Sequence, residues 1–110
     1  MPTVTSFSAN YDEDNDQVDL IWTNPTNFSN FDGVRIMRGA GYIPTSPTDG
    51  TVIYIGGSNN TIDDDVDLDT RYYYAIFVHS TSGKYSSAVI TSVLPSAEDE
   101  DDDPFEQFPN

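Results

Sequence analysis

The chain has 110 residues, room for one domain and a short extension, and its hydrophobic fraction of 36% is low for a globular protein. Nineteen acidic residues against four basic ones give a net charge of −15, a field that repels nucleic-acid phosphates and anionic membranes. With no cysteine and a single histidine, thiolate zinc sites, disulfide frameworks and histidine-rich metal sites within one chain are excluded.

The predicted elements are short alternating segments separated by turn clusters, the pattern of a two-sheet sandwich or a barrel. A first strand is predicted over 3–9, with Val4 and Phe7 inward around a local irregularity, followed by a polar connection over 11–16. Residues 17–23 alternate cleanly, placing Val18, Leu20 and Trp22 on one face. A loop with Asn24-Pro25-Thr26-Asn27 leads to a third strand over 33–38, where Val34 and Ile36 alternate against Arg35 and Met37. The segment 39–50 holds Pro44 and Pro47 and is not an inner strand. Short strands are predicted over 51–55 and 61–63, then an acidic stretch to Thr70. The strongest strand follows over 71–80, with Tyr72, Tyr74, Ile76 and Val78 facing one way and Tyr73, Ala75 and Phe77 the other. A hairpin, Thr81-Ser82-Gly83-Lys84, leads to a last strand over 85–94. No segment carries a helical period, so the chain is all-β.

Trp22 in Val-Asp-Leu-Ile-Trp-Thr, followed by Val66-Asp-Leu-Asp-Thr-Arg-Tyr72-Tyr-Tyr74-Ala-Ile76 and a Gly-containing hairpin, resembles the fibronectin type III domain. The segment from Trp22 through Phe31-Asp-Gly-Val-Arg-Ile-Met-Arg38 resembles variants common in bacterial and phage proteins. The resemblance implies an immunoglobulin-like, two-sheet antiparallel sandwich of about seven strands. It also implies that Trp22, Tyr74 and Ile76 are core residues, that Val66 sits at a loop corner, and that the Tyr72 hydroxyl bonds a backbone group there. Leu68 departs from the pattern, standing where many members have Pro. The resemblance covers 3–94. The domain is therefore predicted over 1–94, with an acidic, Pro- and Phe-containing tail over 95–110 that has the composition of a disordered segment.

Catalysis is not expected. His79 is the sole histidine base, no glycine-flanked nucleophile turn is present, and a sandwich of this size seldom has a cleft that desolvates a carboxylate. Calcium is the one cofactor the residues suggest. Asp12-x-Asp14-x-Asp16 starts like an EF-hand loop, but Gln17 stands at the turn glycine and Thr23 at the bidentate Glu. What is left is a looser cation site in which Asp63 and Asp65, from a loop predicted at the same end of the sandwich, would join Asp12, Asp14 and Asp16. For protein binding the candidates are apolar side chains in loops or in the tail. Phe28, Phe31 and Tyr42 mark a contact surface if exposed and cap the core if buried. Phe105 and Phe108, set among carboxylates, suit a basic-rimmed groove on a partner.

The expectation is a non-catalytic structural or adhesive module displayed on a larger assembly, bound to a protein partner or a repeated protein lattice. No stretch approaches the roughly 20 apolar residues that span a bilayer, and Met1-Pro2-Thr3 does not open a signal peptide. A virion surface protein, such as a phage decoration or tail-associated protein, fits these features. The alternatives are a spacer or binding domain of a secreted polysaccharide-degrading enzyme or cell-surface adhesin, and a calcium-stabilised extracellular module.

Overall fold

Alternation decides which side chains meet. In β2 (Gln17–Thr23) Val18, Leu20 and Trp22 are buried, while Ile21 between them faces solvent. This is the period of two that a sheet with one wet face requires. The same rule organises β1 (Thr5–Asp12), β3 (Phe31–Ala40), β4 (Thr51–Gly56), β5 (Asn60–Asp63), β6 (Tyr72–Ser80) and β7 (Val89–Val93). The computed structural model describes residues 1–96.

The strands form two antiparallel sheets, one of three strands in the order β1-β2-β5 and one of four in the order β4-β3-β6-β7. Their inner faces meet in one core built on Val4, Val18, Leu20, Trp22, Val34, Ile36, Val66, Tyr72, Tyr74, Ile76 and Val78. Phe7 meets the Trp22 ring edge-on with centroids 6.3 Å apart, and Tyr54 lies 5.7 Å from it on the other side. The indole N–H, buried with the ring, donates to Asn24 Oδ1 at 2.8 Å.

Irregularities aim particular residues. β1 shifts register between Thr5 and Ser8, with Ser6 at φ 55°, and this is the break expected between Val4 and Phe7. Where β4 shifts register against β3, Ile53 is the extra residue. Ile53 and Tyr54 both pack on the core, and Val52 and Ile55 are left on the opposite face. Gly33 carries φ +151° at a shift in β3, and a Cβ there would meet the Gly56 carbonyl oxygen at 2.8 Å. Only glycine tolerates both conditions.

Two strand limits differ from the prediction by more than two residues. β1 continues to Asp12 because the residues to Asp12 pair in unbroken register with β2, leaving only 13–16 as the turn. The last strand begins at Val89 rather than Tyr85. Val78 N–H bonds the Ser86 hydroxyl at 2.9 Å in place of a backbone carbonyl, so the ladder is interrupted, and Tyr85 keeps one isolated bridge to His79. Pro95, placed with the tail by composition, is fully buried, and its carbonyl accepts from the Asp69 N–H at 2.7 Å.

At the loop between β5 and β6, Val66 is buried and the Tyr72 hydroxyl accepts from the Asp67 N–H at 2.8 Å. Tyr72→Phe keeps the ring and removes the acceptor. The expected loss is about 1 kcal/mol, read from the urea midpoint at constant slope. No change would mean that water satisfies this amide just as well.

Candidate functional site

Three of the expected calcium ligands, Asp12, Asp16 and Asp63, have other partners, while the Asp14 side chain is exposed. The Asp12 carboxylate accepts from the Asp14 N–H at 3.1 Å and from Asn15 Nδ2 at 2.7 Å, closing its own turn. Asp16 Oδ1 accepts from the Tyr11 hydroxyl at 2.7 Å. That hydrogen bond, loss of solvent and the charges of Asp16, Glu13 and Asp12 push the Tyr11 phenol up to about 12. The loops 13–16 and 64–71 do lie side by side, with Tyr11, Glu13, Asp16, Val66, Asp67 and Leu68 lining an open acidic depression. Among the described residues, however, no three His, Cys, Asp or Glu side chains are grouped so as to hold a metal ion.

Asp63 departs furthest from its expected role. It pairs with Val18 and therefore points inward, where it is buried. Both its carboxylate oxygens accept from Arg38 Nη1, at 2.9 and 3.0 Å, and the Tyr74 hydroxyl donates to Oδ2 at 2.7 Å. Arg38 also donates to the Asp65 carbonyl at 2.9 Å and lies over the Tyr72 ring, 5.0 Å from its centroid. The Asp65 carboxylate itself is exposed, 3.9 Å from Arg38 Nη2. Burial lowers the Arg38 pKa, but the hydrogen bond and charge of Asp63 outweigh it and raise the net value. These groups clamp the two sheets together and leave Asp63 no open coordination side.

Tyr74 carries a pH prediction. Burial first, then its hydrogen bond to Asp63, raises the Tyr74 pKa far above the ordinary 10.0. Above about pH 10 the unfolded chain releases this proton and the folded chain keeps it. The contribution is therefore complete below pH 10, and stability falls with rising pH by about 1.4 kcal/mol per unit. Tyr74→Phe should flatten that slope in urea melts between pH 10 and 11; an unchanged slope would assign it to other groups.

The outer face of the four-stranded sheet is less regular than alternation predicts. Met37, Ala75 and Phe77 point outward yet are buried in a second apolar cluster, joined by Ala88. Two segments shield them. Arg35 Nε donates to the Pro47 carbonyl at 2.6 Å, which holds the segment 41–50 against this face. The Tyr85 ring packs edge-on against Phe77, with centroids 6.4 Å apart. Around this patch the apolar side chains stay open to solvent, from 39% for Tyr85 through Ile90, Leu94 and Val52 to 63% for Ile55.

A groove of about 180 Å³ opens at the end of this face, its walls including Asp32, Arg35, Ile55, His79 and Tyr85. His79 Nδ1 and Asp32 Oδ2 are 2.8 Å apart, and the Tyr85 ring lies 4.8 Å from the imidazole. Asp32 and His79 stand at adjoining ends of paired strands, β3 and β6. Among the described residues, the groove lining contains no serine, threonine, cysteine or lysine. The groove's size suits one side chain, and it presents an aromatic wall, an aliphatic wall and a guanidinium.

Among the residues proposed for binding, Tyr42 is exposed, in the segment 41–50. Phe28 and Phe31 are half-buried against the main core, which they cap. Phe105 and Phe108 lie outside the described residues. Sequence reasoning missed Arg35, Ile55, Tyr85 and the Asp32–His79 pair, whose members are 47 residues apart.

No protein-family model matches the chain, and no curated protein matches it. Among solved structures it is similar to a Fn3-like protein from Clostridium thermocellum, with a TM-score of 0.63 and 22% identity over 88% of this chain and 96% of that one. The likeness shows the fold: a fibronectin type III-like, all-β sandwich.

Proposed function

We propose that this protein is a non-catalytic binding module that attaches to a protein partner through the outer face of its four-stranded sheet. The observation that carries the reading is the ring of exposed Val52, Ile55, Tyr85, Ile90 and Leu94 around a side-chain-sized groove. Exposed apolar side chains gathered on one face mark contact surfaces. The partner presents an apolar side chain to the groove and a carboxylate to Arg35.

The setting we propose is a repeated protein lattice such as a virion surface, with this chain as a decoration or tail-associated component. At a net charge of −15, copies repel one another, which favours positions set by an underlying partner over self-association. A spacer or binding domain of a secreted polysaccharide-degrading enzyme or adhesin is the alternative setting. The calcium-stabilised reading has least support, since Asp63 is held by Arg38 and Tyr74. It predicts a higher melting temperature in calcium than in chelator.

Ile55→Asp tests the contact. Intact particles from the source culture should retain the wild-type chain at a fixed copy number. The variant should lose at least about tenfold in affinity, as a desolvated charge costs more than 1.4 kcal/mol. Equal retention of both would remove this face from the interface, and no retention of the wild type would remove the virion setting.

A further inference from the structure

Two sheets leave four strand edges, and the sandwich closes two of them itself. β1 and β7, the outermost strands of their sheets on one side, lie against each other. β1 also carries the break at Ser6, and β7 stops two residues short of the buried Pro95. No comparable contact joins β4 to β5 on the other side. β5 is guarded differently. It is only four residues long, its last residue, Asp63, is tied to Arg38, and the exposed Asp64 and Asp65 follow. Short length and charge on an edge strand both discourage pairing with another chain.

β4 has none of these guards. Thr51-Val52-Ile53-Tyr54-Ile55-Gly56 holds no charged residue and no proline, and its β-branched and aromatic side chains favour extended backbone. The extra residue at Ile53 is its one irregularity, and beyond it Tyr54, Ile55 and Gly56 pair in regular register with Ile36, Arg35 and Val34. Among the described residues, the main chain of 51–56 hydrogen-bonds to β3 alone. In an antiparallel pair, alternate residues turn both N–H and C=O away from the neighbouring strand. β4 therefore presents a row of alternating donors and acceptors about 17 Å long.

Such a row selects the chemistry of what covers it. An extended main chain matches it donor for acceptor, and a helix or a surface of side chains does not. The edge is also continuous with the groove, since Ile55 and Gly56 at the end of β4 form part of its wall. A strand added there would place alternate side chains on the outer face, beside the exposed Val52 and Ile55. Net charge decides between a second copy and another protein. At −15, copies of this chain repel one another, whereas a segment with lysine or arginine at its ends is attracted.

We propose that the partner contributes an extended segment, flanked by basic residues, that adds to the free edge of β4 as a fifth strand of the four-stranded sheet. This rests on the partner contact proposed above and specifies how it is made. Main-chain bonds along β4 supply affinity, and the groove beside Ile55 reads one side chain.

The probe is a soluble peptide of alternating valine and threonine with a lysine at each end, added to the full chain while amide exchange is followed by NMR. Without peptide, alternate amides of 51–56 should exchange fast and the others slowly. At a peptide concentration about ten times Kd, the fast set should slow about tenfold, with β1, β5 and β7 unchanged. The same peptide with every amide N-methylated keeps the side chains and should have no effect. Equal protection by the methylated peptide, protection spread over all four edges, or none on β4 at millimolar peptide overturns the proposal. Protection that grows with the concentration of the chain itself, without peptide, puts a second copy on the edge and overturns the assignment to a partner. No particle is in the tube, so a failure here leaves the outer-face contact to be judged by Ile55→Asp alone.

Discussion

Asp63→Ala is expected to destabilise the protein by about 3–5 kcal/mol, the cost of leaving a buried charge without its partner. The Arg38 and Asp63 side chains are 12% and 3% exposed, so water does not replace the lost carboxylate. The Tyr74 hydroxyl loses its acceptor at the same time. A small domain holds only about 5–15 kcal/mol in total, so the variant sits close to unfolding. The pair itself contributes much less than this loss suggests, because both ions were desolvated on folding. Replacing both partners with apolar groups, as in Arg38→Met/Asp63→Leu, should therefore recover most of the stability. Urea denaturation of the two variants checks this. A double variant as unstable as Asp63→Ala would show that the ion pair is needed for more than satisfying its own charges.

The second large effect is at Trp22. Trp22→Ala should cost about 3–5 kcal/mol, the usual range for removing a large buried aromatic. The ring packs between Phe7 and Tyr54, and its loss opens a space between the two sheets that neither neighbour fills without moving its own strand. Trp22 is the only tryptophan, so far-UV circular dichroism replaces fluorescence as the probe. Ile21→Ala, one position away on the solvent face, should stay within about 0.5 kcal/mol. Similar losses at both positions would contradict the assigned faces of β2.

Much of the fold was legible because alternation is a local signal. Val18, Leu20 and Trp22 on β2, and Tyr72, Tyr74, Ile76 and Val78 on β6, declare their faces without knowledge of any partner strand. The hydrogen bond of Tyr72 was implied by the resemblance of the stretch from Val66 to Ile76 to the fibronectin type III pattern. Asp63 was misread because it opens an acidic run that looks uniformly solvated. Only its inward parity on β5, opposite Val18, separates it from Asp64 and Asp65. A signal was present in Arg38, which shares the parity of Val34 and Ile36 and so had to find an anion inside the sandwich.

The candidate site was harder to see. Met37, Ala75 and Phe77 read as outward residues, and apolar side chains facing outward on neighbouring strands are themselves a sign of a covered face. What covers them, the segment 41–50 and Tyr85, follows from a side chain-to-backbone bond and a ring contact that no period encodes. Ile55 faces outward because of a shift in register in β4, and such shifts are set by the pairing rather than by the strand's own residues.

Hydrogen exchange on the chain bound to intact particles, compared with the chain alone, tests the proposed contact face most directly. Slower exchange is predicted at 52–56 and 85–90, the stretches that carry Val52, Ile55, Tyr85 and Ile90, with β1 and β5 unchanged. Protection confined to the three-stranded sheet, or to the acidic loops at 13–16 and 64–71, would contradict it.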